Sequence, residues 1–335
     1  MNSLDVGVLG GGAIGGSLAA RLASSGERVT LVARGANGRA IREQGLVLHE
    51  GGRELRVPLP CCEQAGDLGP QDVIVVAVKG RDLSPLASVL PGLLKPGGRL
   101  VLAMNGIPFW FDRFGGFAWP AAVREMLDPG GELARQLPLH ALVGAVVLSS
   151  AEVLAPGIVR SPAGDRRSVI LGRPDGGVDA VTQRFADALS KASYATRISS
   201  DIRAELWAKL MLFCSAGPLS ALTGADLGVL AAEPSSEALW LGMMNECLDL
   251  GSAVGLAVDA EPRAVLDAFR GTAVRPSMLQ DVEAGRSPEI ESGLLAVDLI
   301  ARGRDMELPR LSAVAALMRM KWPLAVSAGD TREEN

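Results

Sequence analysis

A glycine-rich turn near the amino terminus carries the clearest chemical signal in the sequence. Residues 10–15 read Gly-Gly-Gly-Ala-Ile-Gly, which matches G-x-G-x-x-G, and they directly follow an apolar run of strand length. In such a turn Gly10 makes the tight bend, Gly12 lets the backbone approach a pyrophosphate, and Gly15 lets a helix pack close to the strand. The alternative is a glycine-rich turn of another α/β protein. The residues predicted to contact a dinucleotide, partly through free N–H groups at the helix start, are Gly10, Gly12, Ala13, Ile14 and Gly15.

A cation follows the next strand, at the point where a bound dinucleotide would place its adenosine ribose. NAD-binding chains usually carry Asp or Glu there, whereas this chain has Arg34 after residues 29–32. A guanidinium pairs well with a 2′-phosphate, so we expect NADPH as the cofactor, with Arg39 as an assisting cation. The alternative for both arginines is a solvated loop charge.

Three polar residues stand out in the otherwise apolar second half of the chain. Lys209 lies in an apolar helical run, Ser277 opens a polar-apolar segment, and Glu289 follows a Gly-Arg-Ser-Pro turn. Each also has a structural explanation, because a lysine can extend its ammonium to water and Ser and Glu are common at helix starts.

The elements that must position these residues change in type along the chain. The continuous β-branched run at residues 72–79 is typical of a parallel strand buried on both faces, and residues 99–104 are predicted to form another buried strand. Residues 46–50 and 54–58 flank a Gly-Gly turn as in a hairpin. Residues 83–94 have a helical pattern. Strands continue to residue 198, and from residue 201 almost every segment is predicted to be helical. We therefore predict an α/β fold with a Rossmann-type dinucleotide domain at residues 1–198, a helical substrate domain at 199–326 and a disordered tail at 327–335.

Bulk composition excludes several functional classes. The 335 residues carry a net charge of −5, with 48% hydrophobic and 21% charged residues, so a broad basic surface for nucleic acid is not expected. Four cysteines lack metal-ligand spacing and there are only two histidines, so no metal site is predicted. No run reaches the length of a membrane span and no signal peptide is evident, which together favour a cytoplasmic protein.

The order of the motifs resembles the ketopantoate reductase (2-dehydropantoate 2-reductase) family over nearly the full chain. The resemblance also covers Ala-Arg-Gly at 33–35, Asn105-Gly106, Pro-Gly at 156–157 and Trp-Ala-Lys-Leu at 207–210. It continues through Ser-Met-Leu-Gln-Asp at 277–281 and Glu289-Ile290 to residues 303–309. Asn-Gly-Ile-Pro at 105–108 followed by Trp110 is similar to one paralogous branch, so the chain is identified as a divergent family member.

This resemblance implies a helical second domain similar to that of 6-phosphogluconate dehydrogenases, and a hydride transfer from NADPH to a 2-oxo acid of the kind used in pantothenate biosynthesis. The family's general acid matches Lys209, and the glutamate that positions it matches Glu289. The matching residues imply that Asn105 contacts substrate or cofactor, that Lys79 lies near the cofactor, and that Ser277 helps to bind the substrate carboxylate.

The chain departs from the family pattern around its expected substrate pocket. Phe213 and Gly217 occupy positions, four and eight residues after Lys209, where the family usually has asparagines. Residues four apart share a helix face, so an apolar ring should face the pocket that Lys209 faces. Other departures are Ser161 for His, Leu294-Leu295 for Asn-Gly, and Met104 for Gln.

Three functional hypotheses follow. The first is an NADPH-dependent reductase of a 2-oxo acid or related ketone, which is either ketopantoate or a more apolar substrate. The second is the same fold recruited for a specialised metabolite, including a non-redox reaction such as cyclisation. The third is a non-catalytic NADP(H)-binding sensor, which would need neither Lys209 nor Glu289. A homodimer is compatible with apolar helical segments such as residues 239–250, although an intradomain core explains them as well.

Overall fold

The computed structural model describes residues 3–161 and 167–323 of the chain. Two compact units divide it: the first contains the chain up to Leu210 together with Val254–Asp259, and the second contains Met211–Ala253 and the chain from Ala260 onward. The boundary predicted between residues 198 and 199 coincides with the end of the last described strand, whereas the units divide twelve residues later, inside a helix. The tail predicted at 327–335 lies outside the described residues.

Two sheets account for the described strands, all of them in the first unit. One sheet has the order β12-β11-β8-β7-β6-β1-β2-β5 and the other the order β4-β3-β10-β9. In the larger sheet β11 is antiparallel to β8, and the other neighbouring pairs are parallel. The strands are β1 (Asp5–Leu9), β2 (Arg28–Val32), β3 (Leu46–Glu50), β4 (Arg53–Val57), β5 (Cys61–Cys62), β6 (Gln71–Val76), β7 (Leu94–Leu102), β8 (Leu142–Leu148), β9 (Glu152–Ala155), β10 (Ile158–Ser161), β11 (Ser168–Gly172) and β12 (Ala195–Ile198).

The run β5-β2-β1-β6-β7-β8 is the strand order of a dinucleotide-binding Rossmann sheet. The chain winds outward from β1 in one direction and from β6 in the other, so the order reverses between these two strands. Val73, Ile74, Val75 and Val76 are at most 1% exposed, as their uninterrupted β-branched run predicts for a strand covered on both faces. The α/β fold class predicted from the sequence is confirmed, and so is the β3–β4 hairpin.

The helices follow the predicted division into a mixed first half and a helical second half. They are α1 (Ala13–Ser24), α2 (Gly35–Gln44), α3 (Ala121–Leu127), α4 (Glu132–Gln136), α5 (Ala180–Lys191), α6 (Ile202–Thr223), α7 (Leu227–Ala232), α8 (Pro234–Ala253), α9 (Pro262–Asp267), α10 (Ser277–Glu283), α11 (Ala296–Arg302) and α12 (Pro309–Lys321).

The helix predicted over residues 83–94 is wrong. The chain forms short 3-10 helices at Ser84–Leu86 and Leu90–Leu93, and β7 then begins at Leu94. Pro85 and Pro91 each lie in the first turn of a 3-10 helix and cannot donate a backbone hydrogen bond, so an α-helix cannot continue through them. The apolar residues of this segment have helical spacing, but the two prolines prevent a continuous α-helix.

Helix α6 begins in the first unit and ends in the second. The Oδ1 atom of Asp201 accepts the N–H groups of Arg203 and Ala204, both at 3.2 Å, so an aspartate caps the helix at the residue where the helical half is predicted to begin. By length and composition α6 alone among the described helices could cross a membrane, and this corrects the expectation that no run is long enough. The same composition fits a core helix, because 67% of the apolar stretch of α6 is buried within the protein.

In the second unit a π-helical turn, Glu291–Leu295, precedes α11 where the sequence predicts one regular helix from residue 289. Farther along, the buried carboxylate of Glu246 accepts the backbone N–H groups of Arg310 and Leu311 at 3.1 and 2.9 Å. Glu246 therefore satisfies the first turn of α12 from a neighbouring helix, because no side chain at that helix start does so.

Asp179 joins the start of α5 to the sheet in the first unit. Its carboxylate accepts the N–H groups of Val181 and Thr182, both at 3.0 Å, and is paired with Arg99 at 2.9 Å and Arg173 at 3.2 Å. Burial works to raise the pKa of Asp179, but the hydrogen bonds from Arg99, Thr182 and Arg173 outweigh it and hold the pKa well below its ordinary value.

We expect this carboxylate to make stability depend on pH at the acid end. Its folded pKa lies below the unfolded value of about 3.9, so the stabilisation is complete above about pH 5 and is lost as the pH falls through the folded pKa. Asp179→Asn should lower the free energy of unfolding at pH 7 by about 1–3 kcal/mol and flatten its fall between about pH 5 and 2. Urea unfolding across that range measures both effects. Asp187→Asn, on the exposed side of α5, is the matched control, and parallel pH profiles for D179N and the unmodified protein would contradict the assignment.

Candidate cofactor site and active-site residues

The glycine turn has the backbone geometry that the sequence predicts. Gly10 has a φ of +110°, and a Cβ there would lie 2.5 Å from the carbonyl oxygen of Ala77. A Cβ at Gly15 would overlap the carbonyl oxygen of Gly10, so only glycine allows α1 to pack this close to the end of β1. Gly12 differs from both, since it is exposed and a Cβ there would have no atom within 4 Å.

This geometry fits the pyrophosphate of a dinucleotide. Gly12 caps α1, no side chain caps that end, and its first turn contains no acidic residue. The first helical hydrogen bond runs from the Gly16 N–H to the Gly12 carbonyl at 2.8 Å, so the N–H groups that precede Gly16 lie outside the hydrogen-bond pattern of the helix. An anion placed there would meet N–H donors and the positive end of the helix dipole.

Asn37 holds the glycine turn in place, a role that the sequence did not indicate. Its Nδ2 atom donates to the Gly11 carbonyl at 2.7 Å, and its Oδ1 atom accepts the Gly157 N–H at 2.7 Å. The amide thus ties the turn to the start of β10, more than a hundred residues away in the chain. No motif flags Asn37, because its importance depends on α2 folding back beside the turn.

Arg34 lies immediately beyond the carboxyl end of β2, as predicted. It is the residue before α2, its side chain is 77% exposed, and its Nη2 atom is 3.6 Å from Oδ1 of Asp82. The side chain is therefore accessible to a ligand, and its contact with Asp82 is a loose surface ion pair. Arg39 lies on an exposed face of α2.

Lys79 and Asn105 follow the next two strands of the same sheet. Lys79 comes after β6 and precedes a 3-10 helix at Gly80–Asp82, while Asn105 follows β7 by three residues, and both are half-buried. Since the carboxyl ends of parallel strands share one edge, the structure brings these two residues, Arg34 and the glycine turn to the same edge of the sheet.

An aromatic stack anchors the part of α6 that carries Lys209. Trp207 lies 5.9 Å from Phe111 and 6.4 Å from Trp119, measured between ring centroids, and these two rings stack on each other at 5.7 Å. All three side chains are buried, and Lys209 is half-buried two residues farther along the helix. The irregular segment after Asn105 is therefore a packing partner of this helix, which the sequence did not reveal.

The remaining predicted residues belong to the second unit. Phe213 is half-buried, and a Cβ at Gly293 in the π-helical turn would lie 2.5 Å from its ring. Gly217 is buried, and a Cβ there would lie 2.9 Å from the sulfur of Met278. Ser277 is exposed at the first residue of α10, and Glu289 is half-buried just before the π-helical turn. Lys209 and Glu289 fall in different units, and their pairing stays a prediction.

Within the described residues no group of three or more His, Cys, Asp or Glu side chains could hold a metal ion. None of the four cysteines, all of them described, forms a disulfide, and burial raises the pKa of Cys61 and Cys62 and, to about 12, that of Cys247. Neutral thiols are poor nucleophiles, so these side chains do not compete with Lys209 as candidate reactive groups.

Comparison with known proteins identifies the family. Residues 6–109 match the model described as ketopantoate reductase PanE/ApbA, and residues 201–321 match its C-terminal counterpart. A 2-dehydropantoate 2-reductase of Mesorhizobium japonicum is 36% identical over 97% of this chain and 99% of its own length. The chain belongs to the ketopantoate reductase family. The resemblance noted from the sequence motifs is thereby confirmed.

Solved structures agree with this assignment to the ketopantoate reductase family. A crystal structure described as that of a ketopantoate reductase from Ralstonia solanacearum has a TM-score of 0.85 and 32% identity, covering 95% of this chain and 98% of its own. D-mandelate dehydrogenase, solved with NADH and anilino(oxo)acetate, has a TM-score of 0.80 over 95% of this chain and 98% of its own at 19% identity. That second likeness concerns the fold alone.

The difference between Gly12 and Gly15 generates a paired prediction. Gly12→Ala should change the free energy of unfolding by no more than about 0.5 kcal/mol, because the backbone is allowed for alanine and the space is open, yet it should weaken dinucleotide binding more than about tenfold. Gly15→Ala should cost about 2–4 kcal/mol, because its Cβ meets backbone. Urea unfolding and NADPH fluorescence titration separate the two effects. Gly92→Ala is the control, because Gly92 is also exposed and a Cβ there would meet no other atom. Unaltered dinucleotide binding by G12A would contradict the prediction that the pyrophosphate lies in the open space beside Gly12, called the cradle below.

Proposed function

We propose that this chain is an NADPH-dependent oxidoreductase that reduces a 2-oxo acid or a related ketone to the alcohol. The observation that carries the proposal is the open cradle at Gly12 on the carboxyl edge of a Rossmann sheet, in a chain whose full length matches a 2-dehydropantoate 2-reductase. Bound in that cradle, a nicotinamide dinucleotide supplies the hydride. Arg34, exposed at the end of β2 and able to pair with a 2′-phosphate, supports NADPH as the form used.

The chain's own residues supply binding and the proton. The N–H groups at the start of α1 bind the pyrophosphate, with Lys79 nearby, and Asn105 contacts substrate or cofactor at the end of β7. Lys209 holds a proton on Nζ and donates it to the carbonyl oxygen of the substrate as negative charge develops there. Glu289 orients the lysine, and Ser277 helps to hold the substrate carboxylate.

The proposed setting is a cytoplasmic enzyme acting on a small molecule, without nucleic acid or membrane partners. All four cysteines are free, which supports a reducing compartment. A net charge of −5 supports the absence of nucleic-acid binding. A homodimer remains compatible with the apolar helices of the second unit.

Replacing the proposed general acid tests the catalytic part of the proposal. Lys209→Ala should reduce turnover by about a hundredfold to ten-thousandfold while NADPH binding, followed by fluorescence, changes little. Lys191→Ala, an exposed lysine at the end of α5, should leave both unchanged. Normal turnover by K209A would overturn the assigned role, and equal loss of binding and turnover would point to misfolding instead.

The environment of Phe213 supports a substrate more apolar than ketopantoate. The phenyl ring is half-buried against Gly293, and Leu294 beside it is fully buried. Neither side chain can hydrogen-bond a substrate hydroxyl, as the asparagines usual at these two positions could. Gly217 adds no polar group, and its surroundings leave no room for a larger side chain. A pocket of this composition favours a 2-oxo acid with a hydrocarbon chain or ring.

A panel of 2-oxo acids measures this preference through NADPH absorbance. We expect the unmodified protein to reduce hydrocarbon-bearing 2-oxo acids with a higher kcat/KM than ketopantoate. Phe213→Asn should shift the ratio toward ketopantoate by about tenfold, because an amide can bind its hydroxyl, whereas Phe213→Leu should keep the apolar preference. The preference is wrong if ketopantoate is the best substrate of the unmodified protein. Failure to oxidise NADPH with every acid in the panel would remove the 2-oxo acid proposal itself.

A further inference from the structure

Two carboxylates lie beside the donors that a 2′-phosphate would use at the end of β2. Oδ1 of Asp82 is 3.6 Å from Nη2 of Arg34, and Oε1 of Glu63 accepts the Gly35 N–H at 3.2 Å. The other oxygen of Glu63 is 3.7 Å from Nη2 of Arg42. Arg34 and Gly35 lie at the amino end of α2 and Arg42 in its last turn, and Glu63 contacts both ends of the helix. The two cations and two anions have no net charge.

This acidic pair treats the two nicotinamide cofactors differently. The phosphate of NADPH carries a charge of about −1.5 to −2 and accepts hydrogen bonds only, so Asp82 and Glu63 repel it. The ribose hydroxyl of NADH can donate a hydrogen bond, and a carboxylate is a good acceptor for it. All four charged side chains are at least one-third exposed, so each ion pair is weak and can rearrange when a ligand arrives.

We propose that Asp82 and Glu63 are specificity-determining residues that reduce the preference conferred by Arg34, so that the enzyme uses NADH as well as NADPH. This inference rests on the proposed dinucleotide site and adds a statement about its selectivity. Arg34 supplies the attraction for the 2′-phosphate, while the two carboxylates oppose it and provide acceptors for the unphosphorylated ribose. The selectivity of the site is the balance between these charges.

Charge-removing, nearly isosteric variants test the balance. Asp82→Asn and Glu63→Gln keep a hydrogen-bond acceptor but remove one negative charge each. Titration of NADPH and of NADH, by calorimetry or fluorescence, should show each variant binding NADPH about three- to tenfold more tightly while NADH affinity stays the same or falls. The double variant should show a larger ratio of the two affinities than either single variant. Raising the salt concentration should shrink the gain in NADPH affinity, because screening weakens charge interactions at exposed sites.

Glu54→Gln is the matched control, because Glu54 is an exposed, ion-paired carboxylate of the first unit on β4 in the other sheet. It should alter neither affinity. If the unmodified protein binds both cofactors and the two variants leave the ratio of affinities within twofold, the role of Asp82 and Glu63 is overturned while the proposed function stands. If both variants change the two affinities equally, their effect is structural and the inference is likewise overturned. Binding of neither nucleotide by the unmodified protein overturns the inference together with the proposed function.

Discussion

Close approach of α1 to the end of β1 is the constraint on which the first unit depends. The helix can start where it does only because Gly10 turns the chain with a positive φ and Gly15 has no side chain to meet the Gly10 carbonyl. The same helix is covered on its other side, where a Cβ at Gly16 would lie 2.9 Å from Val159 of β10. Helix α1 therefore lies between two sheets, which explains why Ala19 and Ala20 are fully buried. Small side chains let both layers approach.

The carboxyl edge of the large sheet combines rigid and adjustable parts. Backbone groups at the glycine turn form the rigid part, because Asn37 donates to the Gly11 carbonyl and accepts the Gly157 N–H, both at 2.7 Å, and so ties the turn to the start of β10. Surface charges around Arg34 form the adjustable part, since exposed ion pairs contribute little and reorganise readily. Fixed backbone geometry of this kind suits the pyrophosphate that nicotinamide dinucleotides share, whereas exposed charges act through electrostatics alone. The backbone geometry of the turn depends on glycines that another residue cannot replace, whereas the surface charge around Arg34 can change through a single substitution.

The second unit shows how the apolar ring of Phe213 is accommodated within the fold. The ring of Phe213 lies against Gly293, where even a methyl group would stand 2.5 Å from it. That glycine belongs to a π-helical turn, a local widening that is frequent at functional sites. The Phe213 ring packs directly on the π-helical turn that contains Gly293, so a substitution at Phe213 is coupled to the backbone of residues 291–295.

Local pattern was sufficient for the parts of this protein that depend on short-range geometry. The glycine turn, the buried strands β6 and β7, the hairpin at residues 46–57 and the cap at Asp201 all follow from residue types within a few positions of each other. Local pattern failed at residues 83–94, where apolar spacing suggested a helix that two prolines prevented. Membership of the ketopantoate reductase family was also recognisable, because motif order survives in the chain.

Other features depend on residues that meet only after the chain has folded: Asn37 with Gly157, Arg34 with Asp82, Trp207 with Phe111 and Trp119, and Phe213 with Gly293. Their partners lie tens to more than a hundred residues apart, and no periodicity encodes such a pairing. Tertiary packing alone decided them, since each depends on which surfaces the sheet and helices bring into contact.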